Sequence, residues 1–303
     1  MKKWYTYIVY VSLFFLVVTL FQADYLKIPE IKSIKLLILS LFFLFLGVFL
    51  DALAWHKSLT VFGFTKHSYL SSLSSMGLSI FGKYIPGKIW TVIGRSSYMV
   101  KKYNYNEKEV SMISLIAQLI SLWVGIILGS IIFLFISQTG NWIAIISFIW
   151  IFLSLLLFTN FFYIIIEFIL LSILKVNIDL LKLNIKDIIR IIPWYVILWI
   201  TWCFAFYLLI NSQIDFYLPI WVGLAFSIAC TIGVLAIIFP GGIGIRESFL
   251  AFIFLILGFE QEIVYTLSAS SRIWFLVGEI FMFTTAVIIS FFKINQSEYL
   301  NEN

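Results

Sequence analysis

The chain is written in long apolar runs separated by short polar punctuation. Six runs approach or exceed the roughly 20 residues that cross a bilayer: 4–22, 34–55, 110–136, 142–174, 188–210 and 262–292. Two further apolar stretches, 68–100 and 216–259, are each cut by a Pro-Gly pair, Pro86-Gly87 and Pro240-Gly241. Proline removes a backbone donor and glycine admits dihedrals that other residues avoid, so each pair predicts a broken helix. The halves around Pro86 run to about 15 residues, short for a crossing, and 68–100 reads as a re-entrant hairpin. The halves around Pro240 are longer, leaving 216–259 open between a re-entrant hairpin and two paired spans. The predicted fold class is an all-α polytopic membrane protein with about six full spans and two broken hairpins.

Composition agrees with a membrane protein. The 303 residues are 62% hydrophobic and 12% charged, with a mean hydropathy of +1.07, whereas a soluble domain is nearer half apolar and a quarter charged. No stretch between the runs is long enough for a soluble domain, so 1–303 reads as one membrane domain. The run Tyr5–Phe21 follows Lys2 and Lys3 like a signal peptide, but the flank Gln22-Ala-Asp-Tyr-Leu26 has no small-x-small cleavage site, so it reads as a retained span. Cys203 and Cys230 sit inside apolar runs and read as packing residues.

The net charge of +5 has no soluble basic surface to serve nucleic acid; it reports orientation. With the N-terminus in the cytoplasm, twelve cations face inside: Lys2, Lys3, Lys57, Lys66, Lys101, Lys102, Lys108, Lys175, Lys182, Lys186, Arg190 and Lys293. Only Lys27, Lys32 and Lys35 face outside, which is the bias of the positive-inside rule. Both termini are then cytoplasmic in a multi-pass protein of the cytoplasmic membrane. The bias requires each Pro-Gly stretch to return to its own side. The halves 1–137 and 142–293 then share the order span, span, hairpin, span in opposite orientations, an inverted repeat of the kind that places a substrate site between repeats in transporters. A turn at Thr159-Asn160 would split 142–174 and reverse the orientation of every span C-terminal to it. Lys175 to Arg190 reads equally as a surface amphipathic segment or a basic loop. Asp51 and Glu167 read as interfacial, near inner span ends.

Lys83, Lys88, Arg95, Arg246 and Arg272 fall at or near the broken hairpins and the last span, with only Glu247 and Glu279 as anionic company. A charge at the bilayer centre costs about 2.5–3.5 kcal/mol, so unpaired cations here ask for partners or a function. Lys88 and Arg95, seven apart, share a helix face. Helices restarting near Gly87 and Gly242 present positive N-termini, and Gly241, Gly242 and Gly244 let a ligand approach the backbone. Cations, helix starts and glycines together describe an anion site, and in a membrane the natural anion is a lipid phosphate. Bland readings compete: Lys83 and Lys88 snorkel to the surface, Arg246-Glu247 pair at a helix end, Arg272 and Glu279 pair with neighbouring helices. Two histidines, His56 and His67, and two dispersed cysteines make no metal site, and no cofactor is implied. The Ser71-Ser72 and Ser74-Ser75 pairs and Gly77 read as close helix packing rather than nucleophiles. No P-loop is present to couple ATP hydrolysis.

These residues carry a resemblance. Gly82-Lys-Tyr-Ile-Pro-Gly-Lys-Ile-Trp90 with Gly94-Arg95, Pro240-Gly-Gly-Ile-Gly-Ile-Arg-Glu247, and Arg272 before Trp274 resemble the motifs of the flippase-like membrane domain of lysylphosphatidylglycerol synthases, over nearly the whole chain. The resemblance implies lipid translocation. The chain ends at Asn303 without the soluble synthase domain of the two-domain members, so it resembles the stand-alone proteins, which often accompany cell-envelope or surface-glycan synthesis. The leading expectation is a flippase for an anionic phospholipid or polyprenyl-phosphate-linked lipid. Its site would be Lys83, Pro86, Gly87, Lys88, Arg95, Pro240, Gly241, Gly242, Gly244, Arg246, Glu247, Arg272 and Glu279. The expected partners are membrane lipids with phosphate head groups and glycan-synthesis enzymes, with no nucleic acid. The alternatives are a non-transporting scaffold of a glycan-synthesis complex, and a membrane transferase whose base would be Glu247 or Glu279.

Overall fold

The structure is a computed structural model that describes residues 30–85, 89–136, 141–159, 184–236 and 239–301, with side chains up to Phe292. Nine α-helices follow one another and no strand occurs among the described residues: α1 (Ile34–Val61), α2 (Tyr69–Ser79), α3 (Ile89–Tyr103), α4 (Glu107–Ser130), α5 (Trp142–Phe158), α6 (Ile185–Asn211), α7 (Ala225–Leu235), α8 (Ile245–Ile256) and α9 (Gln261–Asn301). Short 3₁₀ turns extend α2 (Ile80–Tyr84) and α4 (Ile131–Phe135), lead into α7 (Ile220–Leu224), and mark the second break (Pro240–Gly242). Four segments are long and apolar enough to cross a membrane: Ile34–Val61, Glu107–Phe135, Ile185–Asn211 and Gln261–Phe292.

These four match predicted spans closely. The predicted span 4–22 lies outside the described residues. The predicted span 142–174 is described only as α5, which ends at Phe158 with Thr159 as its C-cap. The region read as a surface segment or loop up to Arg190 is already α6 from Ile185, capped by the Asn184 side chain; its earlier part lies outside the described residues, as does Glu167.

The helices are ordered by pairs of touching residues whose numbers run in opposite directions. Ser40 Oγ donates to Ala205 O (2.7 Å), Trp202 Nε1 donates to Leu44 O (3.3 Å), and Ser58 Oγ lies 3.4 Å from Tyr195 Oη. So α1 and α6 lie antiparallel, the most extensive helix pair of the molecule. At one end Lys32 and Ser33 N–H groups donate to Ser212 O, and Lys32 pairs with Asp215. The other end collects Lys57, Lys66, Lys101, Lys102, Lys108, Lys186 and Arg190, because the close of α1 and α3 and the start of α2, α4 and α6 all meet there.

Both Pro-Gly stretches double back. A Cβ on Gly94 would stand 2.7 Å from Ser79 Cβ, and one on Gly82 would stand 2.8 Å from Thr91 N, so α3 returns along α2. In the second, a Cβ on Gly242 would stand 2.6 Å from Gly233 O and one on Gly233 3.0 Å from Arg246 Cβ, so α8 returns along α7. Ser68 N donates to Tyr103 Oη, closing the open end of the first hairpin at the basic end. The second opens at the other end, where Phe216 and Phe259 rings lie 6.1 Å apart. Helix α8 has 12 residues, about 18 Å at 1.5 Å per residue, against about 30 Å of hydrocarbon. Neither half of 216–259 is among the four helices long and apolar enough to cross a membrane.

Packing partners are reciprocal between the halves. Exchanging α1 with α6, α2 with α7, α3 with α8 and α4 with α9 maps the main contacts onto one another: α2 packs on α9 as α7 packs on α4, α1 packs on α9 as α6 packs on α4, and α1 packs on α6. Small residues permit these approaches. Ser71, Ser72, Ser74 and Ser75 are fully buried on α2, and Gly77 leaves room for Met282 O, 2.6 Å from where its Cβ would stand. Cys203 and Cys230 are buried free thiols.

Two measurements test the packing. A Cβ on Gly129 would meet Ile228 N at 2.6 Å between α4 and α7, so Gly129→Ala should cost about 1–3 kcal/mol as an overpacked contact, read as a lower thermal midpoint by tryptophan fluorescence. In the loop at the basic end, burial first and the charge of His56 second push His67 down to about 4 from 6.5. The His67 and His56 rings are 4.6 Å apart, Tyr105 Oη lies 3.5 Å from His67 Nδ1, and Tyr103 stacks beside Tyr105. The unfolded chain binds this proton more readily, so stability falls as pH drops from about 6.5 through about 4. The midpoint of His67→Gln should fall less over that window than that of the unsubstituted protein.

Candidate functional site

The two hairpin tips meet beside α9. Glycine makes the second tip: Gly241, Gly242 and Gly244 have φ of +60°, +70° and +82°, where side chains are strained. These dihedrals are not helical, so α8 starts at Ile245 with Gly244 as its N-cap, three residues later than the sequence predicted. A Cβ on Gly241 would strike the Tyr84 ring at 2.6 Å, so glycine lets the first tip's Tyr84 lie directly on the second tip's backbone.

Around that contact stands a charged cluster. Arg272 Nη2 donates to Tyr84 Oη (2.8 Å) and Nη1 to Gly241 O (3.3 Å). Tyr84 Oη donates to Glu279 Oε2 (2.7 Å), and Lys83 Nζ donates to Glu279 Oε1 (2.5 Å). Arg272 and Glu279 flank the midpoint of the apolar part of α9, Gln261–Phe292. Arg272, Glu279, Arg246 and Glu247 are all at least nine-tenths buried. The Arg246 guanidinium lies between the rings of Phe226 (4.8 Å) and Phe275 (4.9 Å), and Nη2 donates to Ser271 O (3.3 Å). Phe275 also faces Lys83 Nζ at 5.2 Å. Ring faces stabilise a desolvated cation by about 2 kcal/mol.

Two atoms of this cluster are left over. Arg246 Nε and Glu247 Oε1 are buried without a hydrogen-bond partner among the described residues. Glu247 Oε2 accepts from Gly244 N (2.7 Å) and so holds the start of α8, while Oε1 faces Arg272 Nε at 4.0 Å. An unmatched buried polar atom costs about 1–3 kcal/mol. A buried donor and a buried acceptor left open in one charged cluster therefore mark where additional polar groups would be stabilised. Lys83, Arg246 and Arg272 against Glu247 and Glu279 leave one net positive charge.

Comparison with known proteins adds no relative. No family model, no curated protein and no solved structure matches this chain.

Of the predicted site residues, Lys83, Gly241, Gly242, Gly244, Arg246, Glu247, Arg272 and Glu279 lie at the meeting of the tips, and Pro240 opens the second. Pro86, Gly87 and Lys88 lie outside the described residues. Arg95 is a correction: it points elsewhere, giving Nε to Ser114 Oγ (2.5 Å), Nη2 to Ser114 O, and its face to Trp55 at 4.6 Å. Through these bonds Arg95 joins α3 to α4 rather than to the tips. Of the backbone donors expected at the second tip, Gly242 N–H is engaged by Phe239 O and Gly244 N–H by Glu247. Arg246 and Glu247 are not the pair that adjacency implied, because neighbouring helix residues project in different directions. Sequence reasoning missed Tyr84 and Phe275. Tyr84 sits inside the quoted first motif, but its link to Glu279 across 195 positions has no local signal. Asp51, read as interfacial, lies on α1 toward the end that carries Lys57.

Removing one partner of a buried ion pair leaves an uncompensated charge and typically costs 3–5 kcal/mol. Glu279→Ala should therefore destabilise the protein by roughly that amount, and Lys83→Met by less, because Glu279 keeps Tyr84. Thermal unfolding of both variants in detergent checks the order.

Proposed function

We propose that this chain is a lipid translocase of the cytoplasmic membrane, moving an anionic phospholipid or polyprenyl-phosphate-linked lipid through the meeting point of two re-entrant hairpins. The observation that carries the reading is the buried cluster at the tips, with one net positive charge and an open donor and acceptor on Arg246 and Glu247. A lipid phosphate supplies the missing negative charge and accepts from Arg246 Nε–H; a hydroxyl or ammonium of the same head group donates to Glu247 Oε1. Lys83, the least buried member with a side chain 26% exposed, is the first cation that a head group meets.

The architecture supports this reading. The partner exchange between halves, with the equivalent helices α1 and α6 antiparallel, is what an inverted repeat produces. Rocking one repeat against the other would expose the tips alternately to each leaflet. The gathering of Lys and Arg at one end supports cytoplasmic termini under the positive-inside rule. The resemblance of both tip motifs to the lysylphosphatidylglycerol synthase membrane domain points the same way, to a protein serving envelope or surface-glycan synthesis.

The test is transport by purified protein in liposomes with labelled lipids, with sidedness as the readout. Arg246→Ala and Arg272→Ala should lower the rate at least about tenfold, since each removes a charged contact worth about 1.5–3 kcal/mol. Arg95→Ala should affect stability more than rate. Unchanged transport in well-folded Arg246→Ala and Arg272→Ala would sink the proposed site, and a covalently altered lipid would favour a transferase.

A further inference from the structure

Phe275 touches a cation from each hairpin. Its ring lies 5.2 Å from Lys83 Nζ at the first tip and 4.9 Å from the Arg246 guanidinium at the start of α8. On α9 it is one turn from Arg272 and one turn from Glu279, on the same helix face. The ring is braced by its neighbours. Trp202 of α6 meets it nearly edge-on at 5.4 Å, and Trp202 is itself held by its bond to Leu44 O on α1. Phe226 of α7 meets Phe275 at 5.4 Å and faces Arg246 from 4.8 Å. Among the described residues, Arg246 is therefore held by two rings and the Ser271 carbonyl.

What holds these cations decides what they can do. Two cations at one ring repel each other where water cannot screen them. A carboxylate at 275 would hold them but cancel their charge, and an aliphatic side chain would leave the repulsion unopposed. An aromatic face attracts both through its quadrupole and adds no net charge. We infer that Phe275 is a positioning residue of the anion site: its ring keeps Lys83 and Arg246 together without cancelling their charge, and Phe226 completes the hold on Arg246. The inference rests on the translocase reading and deepens it, by assigning the assembly of the anion site to ring faces. A head-group phosphate then meets cations from both hairpins at once, and neither hairpin supplies the site alone.

Proteoliposomes of phosphatidylcholine with graded fractions of a labelled phosphatidylglycerol test this, with the initial rate of movement read at each fraction. Phe275→Leu keeps an apolar side chain without a ring. It should raise the apparent KM about tenfold and change the maximal rate little, the loss expected for a desolvated cation–ring contact. Phe275→Tyr keeps the ring face and should restore the KM of the unsubstituted protein. Phenylalanines bearing one, two and three ring fluorines at 275 keep the shape and progressively withdraw negative charge from the face, so KM should climb with each fluorine. A packing role alone predicts a flat fluorine series. A flat series, or unchanged KM in Phe275→Leu, overturns the positioning role and leaves the translocase reading standing. If Phe275→Leu fails to fold, the near-isosteric fluorine series carries the test. If the unsubstituted protein moves no lipid, translocation of this lipid fails instead, and the rise in thermal midpoint on adding phosphatidylglycerol in detergent is read along the same series. A rise that shrinks with each fluorine supports the role of the ring in anion binding; an even rise, or none, overturns it.

Discussion

Everything at the centre of this protein depends on Glu279. Three cations, Lys83, Arg246 and Arg272, converge there inside an apolar bundle, and bringing them together without an anion would set like charges against one another where water cannot screen them. Glu279 accepts from Lys83 and from Tyr84, and Tyr84 in turn accepts from Arg272. One carboxylate on α9 thereby ties the tip of the first hairpin to the helix that also carries the contact with the second. It does not neutralise the cluster. Glu247 is committed to the start of α8 through one oxygen, and the remaining positive charge is what makes the tips receptive to an anion.

The geometry that delivers these groups comes from small residues. Between helices in lipid there is little hydrophobic drive, so close packing and interhelical hydrogen bonds carry the association. Glycine appears where backbones or rings press closest: Gly77 against α9, Gly129 against α7, Gly47 against Trp202, and Gly241 against Tyr84. The last of these serves the site, because a side chain at 241 would push Tyr84 away and break the link from Arg272 to Glu279. Packing and charge are thus joined at one residue pair. The serine face of α2 plays a parallel part, bonding Trp55 through Ser75 and Tyr103 through Ser71 and so fixing the first hairpin against its neighbours.

A molecule whose halves exchange roles has a natural division between a fixed axis and moving parts. The α1–α6 pair is clasped at one end by Lys32, Ser33, Ser212 and Asp215 and near the other by Ser58 and Tyr195. The hairpins lean on α9 and α4 and touch each other chiefly at their tips. Polar links confined to a few atoms at the tips are easier to exchange for bonds to a ligand than a packed helix interface is to open.

The sequence by itself determined the all-helical class, four of the membrane-length helices, both broken hairpins and most of the charged residues at their tips. Apolar run length and Pro-Gly breaks are local signals, and charges inside such runs are conspicuous because burying them is costly. It did not determine which charges meet. Arg95 was expected at the site with Arg246 and Arg272, yet its helix turns it toward Ser114. Tyr84 and Phe275 carried no mark as site residues, because their importance comes from partners remote in the chain. The same holds for the Gly242 and Gly244 N–H groups, offered by the sequence as ligand donors and engaged by Phe239 and Glu247. The tertiary structure decided these points because pairing depends on helix rotation and on contacts across nearly 200 positions, which no local pattern encodes.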